Sequence, residues 1–162
     1  MNIGIIGNGF VGKATQILVN DIKCFNLYVY DIDPKKCIPE NLKIEELKVC
    51  DIIFIAVPTP MNIDGVCNVS IVTNCIKKLQ KFIDNRKTFI IIRSTVPIGT
   101  SQENNVFFMP EFLTEKNWKE DFYLNKDWIF GMPEKYDINS IELFKKNISR
   151  LVNEAYLHNN IK

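Results

Sequence analysis

Apolar residues along this chain gather into short runs separated by polar stretches rich in turn-forming residues, and the runs have two different periods. Asp51-Ile52-Ile53-Phe54-Ile55-Ala56-Val57 and Thr88-Phe89-Ile90-Ile91-Ile92-Arg93 do not alternate apolar with polar, which predicts strands buried on both faces, as in a parallel sheet. Asn2-Ile3-Gly4-Ile5-Ile6 is a further apolar strand, a second strand ends on Asp31, and Val106-Phe107-Phe108-Met109 and Trp128-Ile129-Phe130-Gly131 are two more candidates. Helical spacing shows elsewhere. Gly12 to about Val19 opens a helix after the first strand; Asn68 can cap a second, with Ile71, Cys75, Leu79 and Phe82 on its apolar face. Ile141, Phe144, Ile148, Leu151 and Ala155 mark one face of a terminal helix over about 139–157.

Alternating strands and helices predict an α/β fold: a Rossmann-like, doubly wound and mainly parallel sheet in a single domain spanning 1–162, with its core over about 1–135. Two crossovers are abbreviated. Pro34 and Pro39 leave room for one short helix near Ile44-Glu45-Glu46-Leu47. The link from Pro97 to Asn105 is shorter than the dozen or so residues that a helical crossover usually needs, and is expected to be irregular or nearly so.

The first strand runs directly into Gly7-Asn8-Gly9-Phe10-Val11-Gly12, and the second ends on an acid, Asp31. A G-x-G-x-x-G pattern between strand and helix, with an acid closing the next strand, is the fingerprint of a dinucleotide site. Gly7 permits the tight turn, Gly9 lets backbone approach a pyrophosphate, and Gly12 lets the helix pack close. Phosphates would sit on unpaired helix N–H groups. Asp31 would accept hydrogen bonds from the adenosine ribose and repel a 2′-phosphate, favouring NAD over NADP, while Lys35 and Lys36 weaken that preference. Gly4, Gly7, Gly9 and Gly12 crowd together although the chain has only seven glycines, so they mark a backbone requirement.

Composition removes other classes. A chain of 162 residues that is 46% hydrophobic is about one domain long and can bury roughly two thirds of its unfolded surface. Interspersed charges with a net of +1 give no field for nucleic acid or anionic membranes. There is no basic leader and no apolar run near the ~20 residues of a membrane span, which points to a cytoplasmic protein. The five cysteines, Cys24, Cys37, Cys50, Cys67 and Cys75, are odd in number and never spaced C-x-x-C, against both a disulfide framework and a zinc site, so no metal is expected. The one histidine, His158, lies in the polar tail His158-Asn159-Asn160-Ile161-Lys162, a poor place for a catalytic base.

In doubly wound sheets ligands bind beyond the carboxyl ends of the strands, so the segments following each strand should converge with the glycine loop on one cleft. These are Val57-Pro58-Thr59-Pro60 with Asp64-Gly65 soon after, Ser94-Thr95-Val96-Pro97-Ile98-Gly99-Thr100, and Met109-Pro110-Glu111-Phe112-Leu113-Thr114-Glu115. In this order they resemble the N-terminal, NAD-binding domain of the UDP-glucose/GDP-mannose dehydrogenase family. The resemblance implies NAD-dependent, two-step oxidation of a nucleotide sugar's C6 alcohol to a carboxylate through a thiol-bound intermediate. It implies that Gly7, Gly9, Phe10, Val11 and Gly12 hold the pyrophosphate, Asp31 and Lys36 the adenosine ribose, and Thr59 and Thr95 the nicotinamide half, Thr95 also orienting a water. Glu111 would line the sugar site, Phe112 and Leu113 would contact a UDP-sugar through backbone, and Glu115 would serve in acid/base work. Read without the resemblance, Glu111 and Glu115 follow Pro110 at the start of a helix, where acids are favoured by the helix dipole alone.

The family pattern continues with a lysine and an asparagine on a central helix and a nucleophilic cysteine in an F-G-G-x-C-x-P-K-D segment, and none of the five cysteines here sits in such a segment. Three readings stay open. The domain is a dehydrogenase half completed by a separate cysteine-bearing chain, a non-catalytic NAD-binding module, or a minimal oxidoreductase acting on a small alcohol with Glu111 or Glu115 as base. A homo-oligomer is one way to cover the open cleft.

Overall fold

The computed structural model describes residues 1–125 and 127–159; the end of the polar tail lies outside the described residues. Five strands, β1 (Asn2–Ile6), β2 (Asn26–Tyr30), β3 (Ile52–Ile55), β4 (Phe89–Ile92) and β5 (Phe107–Phe108), pair in parallel in the order β2-β1-β3-β4-β5. The order reverses between β1 and β3, the switch point at which such sheets bind ligands.

The three central strands, β1, β3 and β4, bury both faces. Ile3, Ile5, Ile52, Phe54, Phe89, Ile91 and Phe107 pack against helices α1 (Phe10–Gln16), α4 (Trp118–Leu124) and α5 (Ile138–Asn159). Ile6, Ile53, Ile55, Ile90 and Ile92 pack against α2 (Ser70–Leu79) and the 3-10 turn Ile44–Val49. Period alone explains the unbroken apolar runs: with side chains alternating between two covered faces, every position is inside. The rings of Phe107 and Phe144 stack at 3.8 Å between centroids.

Several elements depart from expectation for physical reasons. The first helix ends at Gln16, well before Val19. In α2 the buried positions are Val72, Ile76 and Leu79, whereas Ile71 is 40% exposed and Cys75 half-buried, a rotation of about one residue. Asn68 does stand at its start, but its side chain accepts the Ser70 N–H at 3.0 Å one residue ahead of the cap position, Val69. The Pro97 to Asn105 link contains a one-turn helix, α3 (Thr100–Glu103).

Trp128-Ile129-Phe130-Gly131 is not a strand. Gly131 makes one antiparallel bridge to Phe108, while Trp128 packs on Phe122 and Phe130 on Phe144 at 5.5 and 5.8 Å between ring centroids. The aromatic side chains are used as filler beneath α4 and α5, and the backbone follows them.

No helix begins at Pro110 either. A helix there would need the Pro110 carbonyl to accept the Thr114 N–H, but that carbonyl accepts from Arg93 Nη1 at 3.2 Å and the Thr114 N–H goes to Asp121 Oδ2 at 2.7 Å. Glu111 and Glu115 therefore sit in a non-helical segment preceding α4. In α5, Phe144, Ile148, Leu151 and Ala155 are buried as expected and Ile141 only partly. His158, exposed in its last turn, lies 3.4 Å from Glu154.

Candidate functional site

The chain leaves β1 through Gly7, whose φ of 96° lies in the left-handed region that other residues avoid. A Cβ there would stand 2.5 Å from the Ala56 carbonyl oxygen, so β1 and β3 could not approach as they do. Gly12 is also without alternative, because a Cβ would overlap the Gly7 carbonyl oxygen. Gly9 differs: an added Cβ would meet nothing of the protein within 4 Å. Its backbone lies bare to the cleft, with the first-turn N–H groups of α1 beside it and lacking helical acceptors, which is the surface that a diphosphate requires.

Asn8, between the two loop glycines, ties this loop to the next strand. Its N–H donates to Asp31 Oδ2 at 2.7 Å, its Nδ2 donates to the Lys36 carbonyl at 2.7 Å, and its Oδ1 accepts from Gln16 Nε2 at 2.9 Å. Asp31 Oδ1 accepts the Asp33 N–H at 2.9 Å. Each carboxylate oxygen thus holds one backbone donor and keeps a lone pair for a ligand hydroxyl. The Asn8 N–H is spent on Asp31, while the amides of Phe10 and Val11, in the first turn of α1, face no helical acceptor.

On the other side of the switch point, Thr59 Oγ1 donates to the Thr95 carbonyl at 2.8 Å, and Thr95 Oγ1 donates to Glu111 Oε1. Ser94, buried, donates to the Val57 carbonyl at 2.7 Å and locks the two strand ends together. Cys67 rests against the Thr95 and Thr59 carbonyls, its Sγ 3.9 and 4.0 Å away.

These segments enclose a cleft of about 500 Å³ lined by Gly7, Gly9, Phe10, Val11, Asp31, Lys36, Thr59, Thr95 and Glu111, together with Ile32, Ala56, Val57, Pro58 and Ser94. Four expected residues are not on its wall. Gly12 lies beneath the loop, Phe112 is 57% exposed, Leu113 packs half-buried on the core below α4 and α5, and Glu115 is exposed. A second hollow of about 400 Å³ adjoins across Asp31, Ile32 and Pro58, and its far wall is Ile44, Ile71 and Cys75. Ile71 and Cys75, which period predicted to be core, therefore line a cavity, while Leu79 of the same face is core.

Two participants escaped the sequence. Asn8 occupies a variable-looking place in the glycine pattern, and only the third dimension shows what it bridges. Arg93 carried a signal, a charge closing the apolar run Phe89-Ile90-Ile91-Ile92; it is 2% exposed, and burial lowers its pKa to about 10 despite the opposing pull of the Glu111 carboxylate. Among the thiols, Cys50 is buried and pushed up to about 12 by burial and then by Asp51, which makes it inert.

Residues 39–148 match the NAD-binding domain of the UDP-glucose/GDP-mannose dehydrogenase family. A UDP-glucose 6-dehydrogenase of Bacillus subtilis, YwqF, is 28% identical over 88% of this chain, and one of Rickettsia bellii is 30% identical over 83%. The chain spans 41% and 40% of the length of those two proteins. Among solved structures, the fold is shared with a UDP-glucose dehydrogenase of Pyrobaculum islandicum, with a TM-score of 0.65 at 18% identity over 96% of this chain and 43% of that one. It is shared likewise with a GDP-mannose dehydrogenase of Pseudomonas aeruginosa, with a TM-score of 0.63 at 14% identity over 94% of this chain and 50% of that one. The match, the parallel sheet and the glycine loop at its switch point agree, and the chain belongs to the UDP-glucose/GDP-mannose dehydrogenase family, as its NAD-binding domain.

Proposed function

We propose that this domain holds NAD along the carboxyl edge of the sheet and serves as the cofactor half of a nucleotide-sugar 6-dehydrogenase. The observation that carries the reading is the pairing of a bare Gly9 backbone with Asp31, whose carboxylate is fixed by two backbone N–H groups at the end of the adjacent strand. The pyrophosphate lies against Gly7, Gly9, Phe10 and Val11, with Gly12 acting from beneath by letting α1 close on the loop. The adenosine ribose meets Asp31 and Lys36, and the adenine enters the apolar hollow between Ile32, Ile44 and Ile71.

From Asp31 the dinucleotide can extend only past β1 toward β3 and β4, which brings its nicotinamide half to Thr59 and Thr95. NAD supplies the hydride acceptor when bound. Thr95 orients a water, its hydroxyl already directed by Glu111. Glu111 lines the sugar side, Phe112 and Leu113 meet a UDP-sugar through backbone, and Glu115, exposed ahead of α4, takes the acid/base role once covered. No F-G-G-x-C segment occurs in these 162 residues, so the thiol of the second oxidation comes from residues outside them. The free cysteines fit a reducing, cytoplasmic setting. No helix among the described residues is long and apolar enough to cross a membrane.

Calorimetric titration with NAD and NADP tests the cofactor half: NAD should bind, NADP more weakly. UDP-glucose oxidation on adding a cysteine-bearing sugar domain of a relative tests the rest. Absence of NAD binding by the unaltered chain overturns the reading.

A further inference from the structure

Arg93 carries a formal charge into the interior at the carboxyl end of β4. It is 2% exposed, its Nη1 donates to the Pro110 carbonyl at 3.2 Å, and its Nε–H has no acceptor among the described residues. Its pKa of about 10 leaves it protonated at neutral pH. A buried cation with one neutral acceptor is costly to keep. The anionic group that acts on it is Glu111, the next residue after Pro110, whose carboxylate stands on the cleft wall and accepts from Thr95. Arg93 thus lies buried off the cleft wall, bonded to the residue that precedes Glu111, and Glu111 stands on that wall.

The charged residues of the cleft wall are Asp31, Lys36 and Glu111. Asp31 and Lys36 belong to the end of β2, the ribose end in the reading above, and Glu111 to the opposite end beyond β4. The oxidised and reduced forms of a nicotinamide dinucleotide are nearly the same in shape, but the oxidised ring is cationic and the reduced ring neutral. Charges near that ring act differently on the two, and a ligand's two states are separated only by differential interaction.

We propose that Glu111 and Arg93 form a charge pair that sets the relative affinity of this cleft for the oxidised and reduced cofactor. The proposal rests on the reading that the cleft takes a nicotinamide dinucleotide. Glu111 favours the cationic ring; Arg93, buried off the cleft wall, opposes. Neither need touch the cofactor, so Arg93 is a positioning and field-setting residue here and not a catalytic one.

The two members should shift the preference in opposite directions. NAD and NADH are titrated separately, by calorimetry and by NADH fluorescence, into the full chain and its variants. Glu111→Gln should weaken NAD relative to NADH by about three- to tenfold, and Arg93→Met should tighten NAD relative to NADH by a similar factor. Arg93→Lys, which keeps the charge, should return the ratio to that of the unaltered chain. Lys36→Met, at the far end, should change both affinities together and leave the ratio within about twofold. A purely structural Arg93 would lower both affinities and leave their ratio unmoved, which overturns the proposal, as does a ratio unchanged in Glu111→Gln. Should Arg93→Met fail to fold, the Glu111→Gln arm decides alone. Failure of the unaltered chain to bind either form overturns the cofactor reading itself and this proposal with it, a result distinct from binding with an unmoved ratio.

Discussion

The Asp31 carboxylate accepts the backbone N–H of Asn8 at 2.7 Å, so the residue expected to hold the cofactor's ribose also holds the glycine loop in place. Asp31→Ala removes both functions at once. NAD affinity should fall by about tenfold or more, and the urea midpoint should fall with it, by about 1–3 kcal/mol of stability, because the Asn8 and Asp33 amides both lose their acceptor. Equal NAD affinity in the variant would remove Asp31 from the site.

Two of the loop glycines, Gly9 and Gly12, separate folding from binding. Gly9→Ala places its methyl in the open cleft and should melt within about 2 °C of the parent while losing NAD affinity, since no protein atom opposes the new carbon. Gly12→Ala drives its methyl onto the Gly7 carbonyl and should cost about 2–4 kcal/mol in stability or leave the protein insoluble. Thermal melts with and without NAD distinguish the two. A Gly9→Ala protein that binds NAD as before would count against the pyrophosphate sitting there.

Acid should loosen the terminal helix first through Asp137. Its Oδ1 accepts the N–H groups of Asn139 and Ser140, both at 3.0 Å, and its Oδ2 accepts the Ser140 hydroxyl at 2.7 Å. These bonds, the Ser140 side chain foremost, hold the Asp137 carboxyl below its ordinary 3.8. A carboxyl depressed in the folded state stabilises above its unfolded pKa and loses that contribution as pH falls through the folded one. Between pH 7 and pH 4 the parent should therefore unfold at a higher urea concentration than Asp137→Ala, and below about pH 3 the difference should shrink. A gap that persists unchanged at pH 2 would mean the carboxylate is not its source.

Phe144 joins α5 to the sheet by stacking on Phe107 and meeting Phe89 and Phe130 edge-on. Phe144→Ala should cost about 3–5 kcal/mol. Hydrogen exchange should show where the loss falls: faster exchange across α5 with β1 and β3 still protected. Uniform loss of protection would show that α5 is not a separable unit.

Much of this molecule was legible before folding because it rests on local rules. Two-sided burial writes itself as unbroken apolar runs, so β3 and β4 were readable to within a residue or two, and the face Phe144, Ile148, Leu151, Ala155 announced α5. Gly7 and Gly12 are demanded by backbone geometry that no other residue meets, and an acid at the end of β2 follows from the ligand chemistry. Periodicity was weaker on α2, where two overlapping sets of apolar residues competed; one faces Ile53, Ile55, Ile90 and Ile92, the other a hollow, and the sequence contains both equally.

The residue pattern is enough for the parallel α/β sheet, the loop with its glycines, and the order in which the cleft segments arrive. Tertiary structure alone decided that Trp128 to Gly131 fills space instead of extending the sheet, because its rings found a pocket between Phe122 and Phe144. It alone decided that Glu111 leaves its expected helix for Thr95, since Arg93 takes the Pro110 carbonyl that the helix needed. Local rules fix which conformations a segment can adopt; where two are open, the partner that satisfies its polar groups and buries its rings makes the choice, and that partner is distant in sequence.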